Sequence, residues 1–111
     1  MNAVRISGKL ECDAQLRERA DGTESAFFIV GVERAQKDAN GRPVKDIITC
    51  RLDGPKAAKM VQDARKGTRI AVQGELHLES YIDQWGSLRN WTEIEASTVH
   101  LAGQKAAEAA R

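Results

Sequence analysis

Residues 46–78, DIITCRLDGPKAAKMVQDARKGTRIAVQGELHL, hold two strand patterns that are separated by one helical pattern. Residues 46–52 are rich in β-forming side chains, and apolar residues or glycine occupy every second position from 70 to 78. Between them, residues 55–66 predict a helix, because Pro55 suits a first helical turn and Gly67 suits a helix end. The segment therefore predicts a strand, a helix and a strand in succession.

Three further runs of residues predict strands, two of them from a clean alternation of apolar and polar side chains. These runs are residues 3–10, 27–33 and 89–101, and turn sequences separate the strands at Asp21-Gly22, Asn40-Gly41-Arg42-Pro43 and Gln84-Trp85-Gly86. The resulting order is that of an all-β, five-stranded OB-fold Greek-key barrel with one helix between strands three and four. Glycines at positions 8, 31 and 74 predict sharp bends or close backbone contacts within the strands.

The composition favours one folded domain and excludes several classes of protein. A length of 111 residues suits a single core, and 41% hydrophobic residues argue against a wholly disordered chain. No apolar run approaches the roughly 20 residues of a membrane helix, and the N-terminus has no apolar signal-peptide region, so we predict a cytoplasmic protein. Cys12 and Cys50 are too few for a disulfide framework, and His77 and His100 complete no zinc-ligand pattern. Without a nucleophile pattern or a phosphate loop, we predict no catalytic residue, no metal and no cofactor.

Short motifs along residues 1–101 resemble those of the bacterial single-stranded DNA-binding protein family. The opening MNAVRISGKL is similar to the family's M-N-x-V-x-I-x-G-x-L, and DIITC at 46–50 is similar to its D-F-I-x-C. The other matches are DAQLR at 13–17, Asp21-Gly22, the segments 26–34 and 54–67, Gly74-Glu75-Leu76, Tyr81, Gly86 and Thr92-Glu93-Ile94. The order and spacing of these motifs together carry the resemblance. It implies an OB fold that binds single-stranded DNA as a homodimer or homotetramer.

Binding of this kind needs flat side chains that stack on bases, each worth roughly 1–3 kcal/mol, and cations along the phosphates. The chain has only five aromatic residues. Tyr81 lies where the resembled family carries an aromatic residue, and it either stacks on a base or packs against the hairpin stem. Trp85, at the predicted hairpin tip, has no obvious core to enter and faces DNA or another interface. Phe27 points away from Phe28, which we predict in the core, while Trp91 stays open between DNA and packing.

Basic residues concentrate in the middle of the sequence. Residues 35–66 contain eight Lys or Arg and four Asp, a net charge of +4, whereas residues 1–34 carry −1 and residues 67–111 carry −2. We predict that a basic hairpin and the strand after it guide the phosphates, the alternative being a solvated loop. Arg5 and Lys9 lie on the outward face of the first strand, which pairs subunits in the resembled family, so their role stays open. The predicted phosphate-binding residues are Arg34, Lys37, Arg42, Lys45 and Arg51.

The leading hypothesis is a non-catalytic, cytoplasmic and nucleoid-associated binder of single-stranded DNA in replication, recombination or repair. Its DNA-binding domain is predicted at residues 1–101, and residues 102–111 form a short extension that we expect to be a frayed helical turn or a disordered end. The resembled family usually carries a long tail with an acidic tip that recruits partners. Because this chain ends in AEAAR, we expect such recruitment to be absent.

Two alternative functions remain open at this point. One is a dimer similar to primosomal replication protein N, which shares the barrel and lacks the tail. The other is a protein-interaction OB module with weak DNA binding. The scarcity of aromatic residues favours the second alternative, as does Glu79, because a carboxylate beside the strand repels phosphates.

Overall fold

The computed structural model describes residues 1–103 and 107–108, which form seven strands and one helix. Five of the strands and the helix follow the predicted order along the chain. The elements are β1 (Val4–Leu10), β2 (Gln15–Glu18), β3 (Glu24–Lys37), β4 (Pro43–Asp53), α1 (Ala57–Asp63), β5 (Arg69–Ile82), β6 (Leu88–Leu101) and β7 (Ala107–Glu108).

The strands close into a barrel of the predicted OB type. Their order in the sheet is β1-β5-β6-β4-β3-β2, and an additional pairing between β1 and β3 closes the barrel. β4 and β6 run parallel to each other, whereas β5 and β6 form a long antiparallel hairpin. With one helix after β4, this arrangement confirms the all-β fold class that the sequence predicts.

The core is built from the inward-facing residues of the alternating runs. Phe28 on β3, Cys50 and Leu52 on β4, and Ile94 on β6 are all fully buried, which confirms the prediction that Phe28 belongs to the core. Burial, together with the nearby carboxylate of Glu93, raises the pKa of the Cys50 thiol to about 12. Because side chains alternate along a strand, the neighbours of these residues form the outer face of the barrel.

Two glycines let strands approach each other more closely than any side chain would permit. A Cβ at Gly8 would overlap the carbonyl of Gly31, where β1 meets β3. A Cβ at Gly74 would overlap the carbonyl of Glu95, next to a shift in the β5–β6 register. The predicted close backbone contacts are therefore confirmed at these positions, and Gly8 lies where β1 meets β3 and closes the barrel.

The helix is shorter than the predicted span of 55–66. Its first residue is Ala57, and it ends at Asp63 because the following backbone turns toward β1. The N–H of Lys66 donates to the carboxylate of Asp13 at 2.8 Å, and the N–H of Gly67 donates to the carbonyl of Leu10. No helix in the described part of the chain is long and apolar enough to cross a membrane.

Two strands were not predicted from the sequence. β2 is only four residues long and all its side chains are exposed, so no apolar period marks it. The expectation of a frayed helical turn or disordered end is wrong for residues 107–108, because they pair with Val99 and Thr98 of β6 as strand β7. Residues 104–106 and 109–111, on which the same expectation falls, lie outside the described residues.

Candidate nucleic-acid interface

Two hairpin tips, between β3 and β4 and between β5 and β6, have the same loop geometry. Each loop begins with an aspartate, Asp38 or Asp83, whose carboxylate accepts the N–H groups of the residues two and four positions later, all at 2.9 Å. Each has a glycine at the fourth position, and Gly41 and Gly86 have φ angles of 77° and 79°. The predicted turns at 40–43 and 84–86 are thus confirmed as three-residue loops with a left-handed glycine.

Tyr81 and Trp91 form an exposed aromatic pair near the end of the β5–β6 hairpin. Their ring centroids are 5.7 Å apart with an interplanar angle of 62°, an edge-to-face contact. Tyr81 and Trp91 remain 54% and 41% exposed, so each residue keeps surface that a nucleobase can cover. In the strand register Tyr81 lies opposite Arg89, and Trp91 lies opposite Glu79. All four residues therefore lie on one face of the hairpin.

The same outer face continues across the barrel to Phe27. In the register, Phe27 of β3 lies opposite Arg51 of β4, and Arg51 lies opposite Glu95 of β6. Phe27 is half-buried, and the guanidinium of Arg17 on β2 lies 4.8 Å from its ring centroid. The structure therefore places the predicted residues Phe27, Arg51, Trp91 and Tyr81 on one sheet face, which we call the aromatic face.

Arg51 lies at the centre of the aromatic face and contacts three carboxylates. Its nitrogen atoms are 3.0 Å from Asp53, 2.7 Å from Glu93 and 3.5 Å from Glu95, and its side chain is only 15% exposed. Burial opposes the charge of Arg51, but Asp53, Glu93 and Glu95 raise its pKa overall. Arg19 also lies 3.2 Å from Asp53, so two guanidinium groups face three carboxylates, and the centre of this face keeps a net negative charge rather than a free cation for phosphates.

A second group of side chains extends the negative charge toward the hairpin. His77 Nε2 lies 3.2 Å from a carboxylate oxygen of Glu75, and His77 Nδ1 lies 3.5 Å from one of Glu95. One possible ligand atom from each of these three residues lies within 4.8 Å of the other two. Glu95 also lies 3.5 Å from Arg51, so this group is continuous with the carboxylates around Arg51.

The predicted cations on the β3–β4 hairpin differ in their surroundings. Arg34 Nη2 lies 2.6 Å from Asp46, which raises the pKa of Arg34 and lowers that of Asp46. Lys45 lies 2.5 Å from Glu11. Lys37 and Arg42 are exposed and form no ion pair among the described residues, so they are the predicted cations with charge free for a phosphate.

Trp85 occupies the tip of the β5–β6 hairpin and is 77% exposed. Its backbone N–H donates to Asp83, whose other carboxylate oxygen accepts from Arg89 at 2.9 Å. The N–H of Ser87 is the main cause that lowers the pKa of Asp83, and the bonds from Arg89 and Trp85 act in the same direction. The loop thus holds the backbone under Trp85 in place while the ring faces solvent.

The other face of this hairpin carries exposed apolar side chains that the sequence analysis did not single out. Leu78, Ile82 and Leu88 are more than half exposed, and Leu76 follows them toward the barrel. The alternation of apolar and polar residues that predicts β5 continues beyond the end of the barrel. This continuation is the sequence feature that could have identified the exposed apolar side chains. Arg17, stacked on Phe27, was also missed, because β2 itself was not predicted.

Comparison with known proteins identifies the family of this chain. Residues 1–102 match the model of the single-strand binding protein family. The chain is 32% identical over its whole length to a single-stranded DNA-binding protein of Enterococcus faecalis, of which it spans 59%. It is 30% identical over 109 residues to single-stranded DNA-binding protein B of Bacillus subtilis, covering 98% of this chain and 96% of that protein. The chain belongs to the single-strand binding protein family.

Proposed function

We propose that this protein is a non-catalytic, sequence-independent binder of single-stranded DNA that acts in replication, recombination or repair. The observation that carries the proposal is the exposed Tyr81–Trp91 pair, on the same sheet face as Phe27 and beside a hairpin with free cations. Sequence-independent binding requires this combination, since every base has a flat face and every nucleotide has a phosphate. Family membership and the names of the two relatives support it.

The charges of the site favour one orientation of the bound strand. Carboxylates of Asp53, Glu93 and Glu95 cluster around Arg51 at the centre of the aromatic face. Phosphates avoid such a centre, whereas uncharged bases do not. We therefore propose that bases lie over the aromatic face and that the phosphates turn outward, toward Lys37 and Arg42 on the β3–β4 hairpin.

The remaining assignments follow from the same proposal. We assign DNA binding to residues 1–101 and treat 102–111 as an extension. The protein is proposed to act as a homodimer or homotetramer, without a cofactor, in the cytoplasm and on the nucleoid. Its proposed DNA-binding residues are those predicted from the sequence. Arg34, Lys45 and Arg51 are held in ion pairs, which leaves Lys37 and Arg42 as the cations proposed to contact phosphates directly.

Intrinsic tryptophan fluorescence tests the proposal directly. Titration with oligo(dT) is expected to quench Trp85 and Trp91, and the quenching midpoint is expected to rise steeply with salt. Tyr81→Ala should weaken binding on the order of tenfold, since one stacked base contributes roughly 1–3 kcal/mol. Lys56→Ala, an exposed position just before α1, is the control and should change little. Absence of quenching together with absence of a gel shift at low salt would reject DNA binding.

A protein-binding function is the second candidate, and the exposed Leu78, Ile82 and Leu88 favour it. An apolar surface of this kind is a typical protein contact. This candidate predicts that Leu78→Ser lowers the mass of a complex or oligomer without changing oligo(dT) quenching. The DNA-binding proposal predicts the reverse for Tyr81→Ala, so the two variants separate the candidates.

A further inference from the structure

A histidine lies between two carboxylates where the β5–β6 hairpin leaves the barrel. Glu75 and His77 share one face of β5, and Glu95 of β6 lies directly opposite Glu75. β1 pairs with β5 only as far as Gly74, so the group begins one position beyond the last residue that β1 supports. We call Glu75, His77 and Glu95 the Glu-His-Glu group.

The two carboxylates of this group lack a permanent cation that pairs with both. Like charges at directly opposite positions of a sheet destabilise it, and Glu75 and Glu95 occupy such positions. Arg51 reaches only Oε1 of Glu95, at 3.5 Å, which is its longest contact with a carboxylate. Among the described residues, the sole ion-pair partner of Glu75 is His77, which is charged only when it is protonated. A divalent cation at this position would compensate both carboxylates.

The imidazole of His77 has a carboxylate oxygen beside each of its nitrogen atoms. Nε2 lies 3.2 Å from Oε2 of Glu75, and Nδ1 lies 3.5 Å from Oε2 of Glu95. A neutral imidazole has one N–H and one lone pair. One nitrogen therefore directs its lone pair at a carboxylate oxygen, and a cation between these two atoms would replace that repulsion with two bonds. This arrangement distinguishes the group from a cluster of surface acids.

The distances within the group are close to those of tetrahedral metal coordination. Bonds of about 2.0–2.1 Å from zinc to nitrogen and oxygen place two tetrahedral ligand atoms about 3.3 Å apart. The contacts of the His77 ring, at 3.2 and 3.5 Å, are near this value. A metal ion binds one ring nitrogen, so the carboxylate at the other nitrogen must turn toward it. Glu75 is exposed and can rotate, and one ligand atom of each residue already lies within 4.8 Å of the other two.

We propose that Glu75, His77 and Glu95 bind a divalent transition-metal ion, with Zn²⁺ as the best match and water in the fourth position. Two carboxylates and a neutral imidazole balance the charge of the ion, and the imidazole nitrogen favours zinc over magnesium, which prefers oxygen ligands. The ion links β5 to β6 at the base of the hairpin that carries the Tyr81–Trp91 pair. No spacing in the sequence predicts this site, because Glu95 meets the other two residues only through the β5–β6 pairing. The inference goes beyond the proposed function, which needs no ion.

Calorimetric titration of the untagged, chelator-treated protein with ZnCl₂ tests the site. Every protein in the series carries Cys12→Ser, because Cys12 is an exposed thiol that could bind zinc by itself. We expect one ion to bind per chain, and MgCl₂ at the same concentration should not bind.

The two histidines of the chain provide a matched pair of variants. His77→Ala should weaken zinc binding by roughly a hundredfold, since loss of a residue that only supports a metal ligand already costs roughly 10–100-fold. His100→Ala is the control and should leave the affinity unchanged, because His100 is exposed near the other end of β6, opposite Ala71. In NMR spectra of the protein with both histidines, zinc should shift the ring signals of His77 and not those of His100.

Thermal unfolding with and without zinc measures the link between the two strands. Without metal, Glu75→Gln should unfold at the same temperature as the parent protein or higher, because one of two opposed charges is gone. Zinc at a hundred times its dissociation constant should raise the unfolding midpoint of the parent by about 10 °C, because the ion binds only the folded state. The rise should be much smaller in Glu75→Gln. Glu79→Gln, which removes the same charge opposite Trp91, should keep the full rise.

Several outcomes would overturn the inference. Equal losses of zinc affinity in His77→Ala and His100→Ala, or equal binding of magnesium, would show that surface charge in general attracts the ion. An equal zinc-induced rise in Glu75→Gln and the parent would remove Glu75 from the site. Lower stability of Glu75→Gln without metal would show that His77 alone already compensates this carboxylate, and it would count against the site as well. None of these measurements uses DNA, so their failure leaves the proposed function as it stands.

Discussion

The β3–β4 and β5–β6 hairpins have the same loop geometry but expose chemically different side chains. Asp38 and Asp83 organise their tips through the same set of hydrogen bonds, and each tip turns on a left-handed glycine. Yet the first hairpin carries free cations and the second carries exposed aromatic rings. The aspartate and the glycine therefore set the geometry of the loop, while the residues that flank them set what the hairpin contacts.

This difference assigns different physical tasks to the two hairpins. Cations such as Lys37 and Arg42 act over a distance of about 10 Å at moderate salt, so they steer a charged strand during approach. Aromatic rings act only on contact, so the Tyr81–Trp91 pair controls how long the bases stay. The comparison predicts that the two hairpins contribute to different measured quantities.

Removal of the aromatic pair should give the largest effect. The double variant Tyr81→Ala/Trp91→Ala removes two stacking surfaces, each worth roughly 1–3 kcal/mol, so the affinity for labelled oligo(dT) should fall by about thirtyfold or more. Fluorescence anisotropy of the labelled strand measures this without tryptophan. Most of the change should be in the dissociation rate. The substituted residues are exposed, so the free energy of unfolding should change little. A loss of affinity below about threefold would show that the pair packs against the hairpin stem instead of binding bases.

Much of this comparison was accessible from the sequence. The alternation from Ile70 to Leu78 and the turn at 84–86 fix the β5–β6 register, which places Tyr81 and Trp91 on the same face. The charge excess of residues 35–66 likewise identifies the basic hairpin. Local patterns of this kind are predictable because turn geometry and strand period set them.

The surroundings of Arg51 were not accessible in the same way. Its partners Glu93 and Glu95 approach through the parallel pairing of β4 with β6, more than forty residues later in the chain. No local pattern specifies which pair of strands becomes neighbours when a barrel closes. β2 was missed for a different reason, since its exposed side chains have no apolar period that would mark it as a strand, although it pairs with β3 and Arg17 stacks on Phe27.

Removal of the free cations on the β3–β4 hairpin should give an intermediate effect. Lys37→Gln/Arg42→Gln should lower the association rate on the order of tenfold at low salt and reduce the salt slope of the affinity by about 1.4. The dissociation rate should change much less, because the stacking surfaces remain. Stopped-flow fluorescence at several salt concentrations measures both rates. The charge-matched variant Lys56→Gln/Lys59→Gln is the control. If both double variants slowed association equally, the effect would come from the net charge of the protein and not from the hairpin.

The smallest expected effect is a dependence of stability on acid pH that comes from the tip of the β5–β6 hairpin. Asp83 accepts a side-chain bond from Arg89 that Asp38 lacks among the described residues, in addition to the backbone N–H of Ser87. The pKa of Asp83 is lowered from 3.8, so its charged form stabilises the folded state above that pH, and this contribution is lost as the pH falls through the lowered value. Asp83→Asn should therefore reduce the free energy of unfolding at neutral pH, and its difference from the unmodified protein should shrink below the unfolded-state pKa of 3.8. Urea unfolding over a pH series measures this difference, with Asp63→Asn at an exposed position of α1 as the control. A difference that stays constant into strong acid would show that the carboxylate supports the tip through hydrogen bonds that an amide reproduces, and not through its charge.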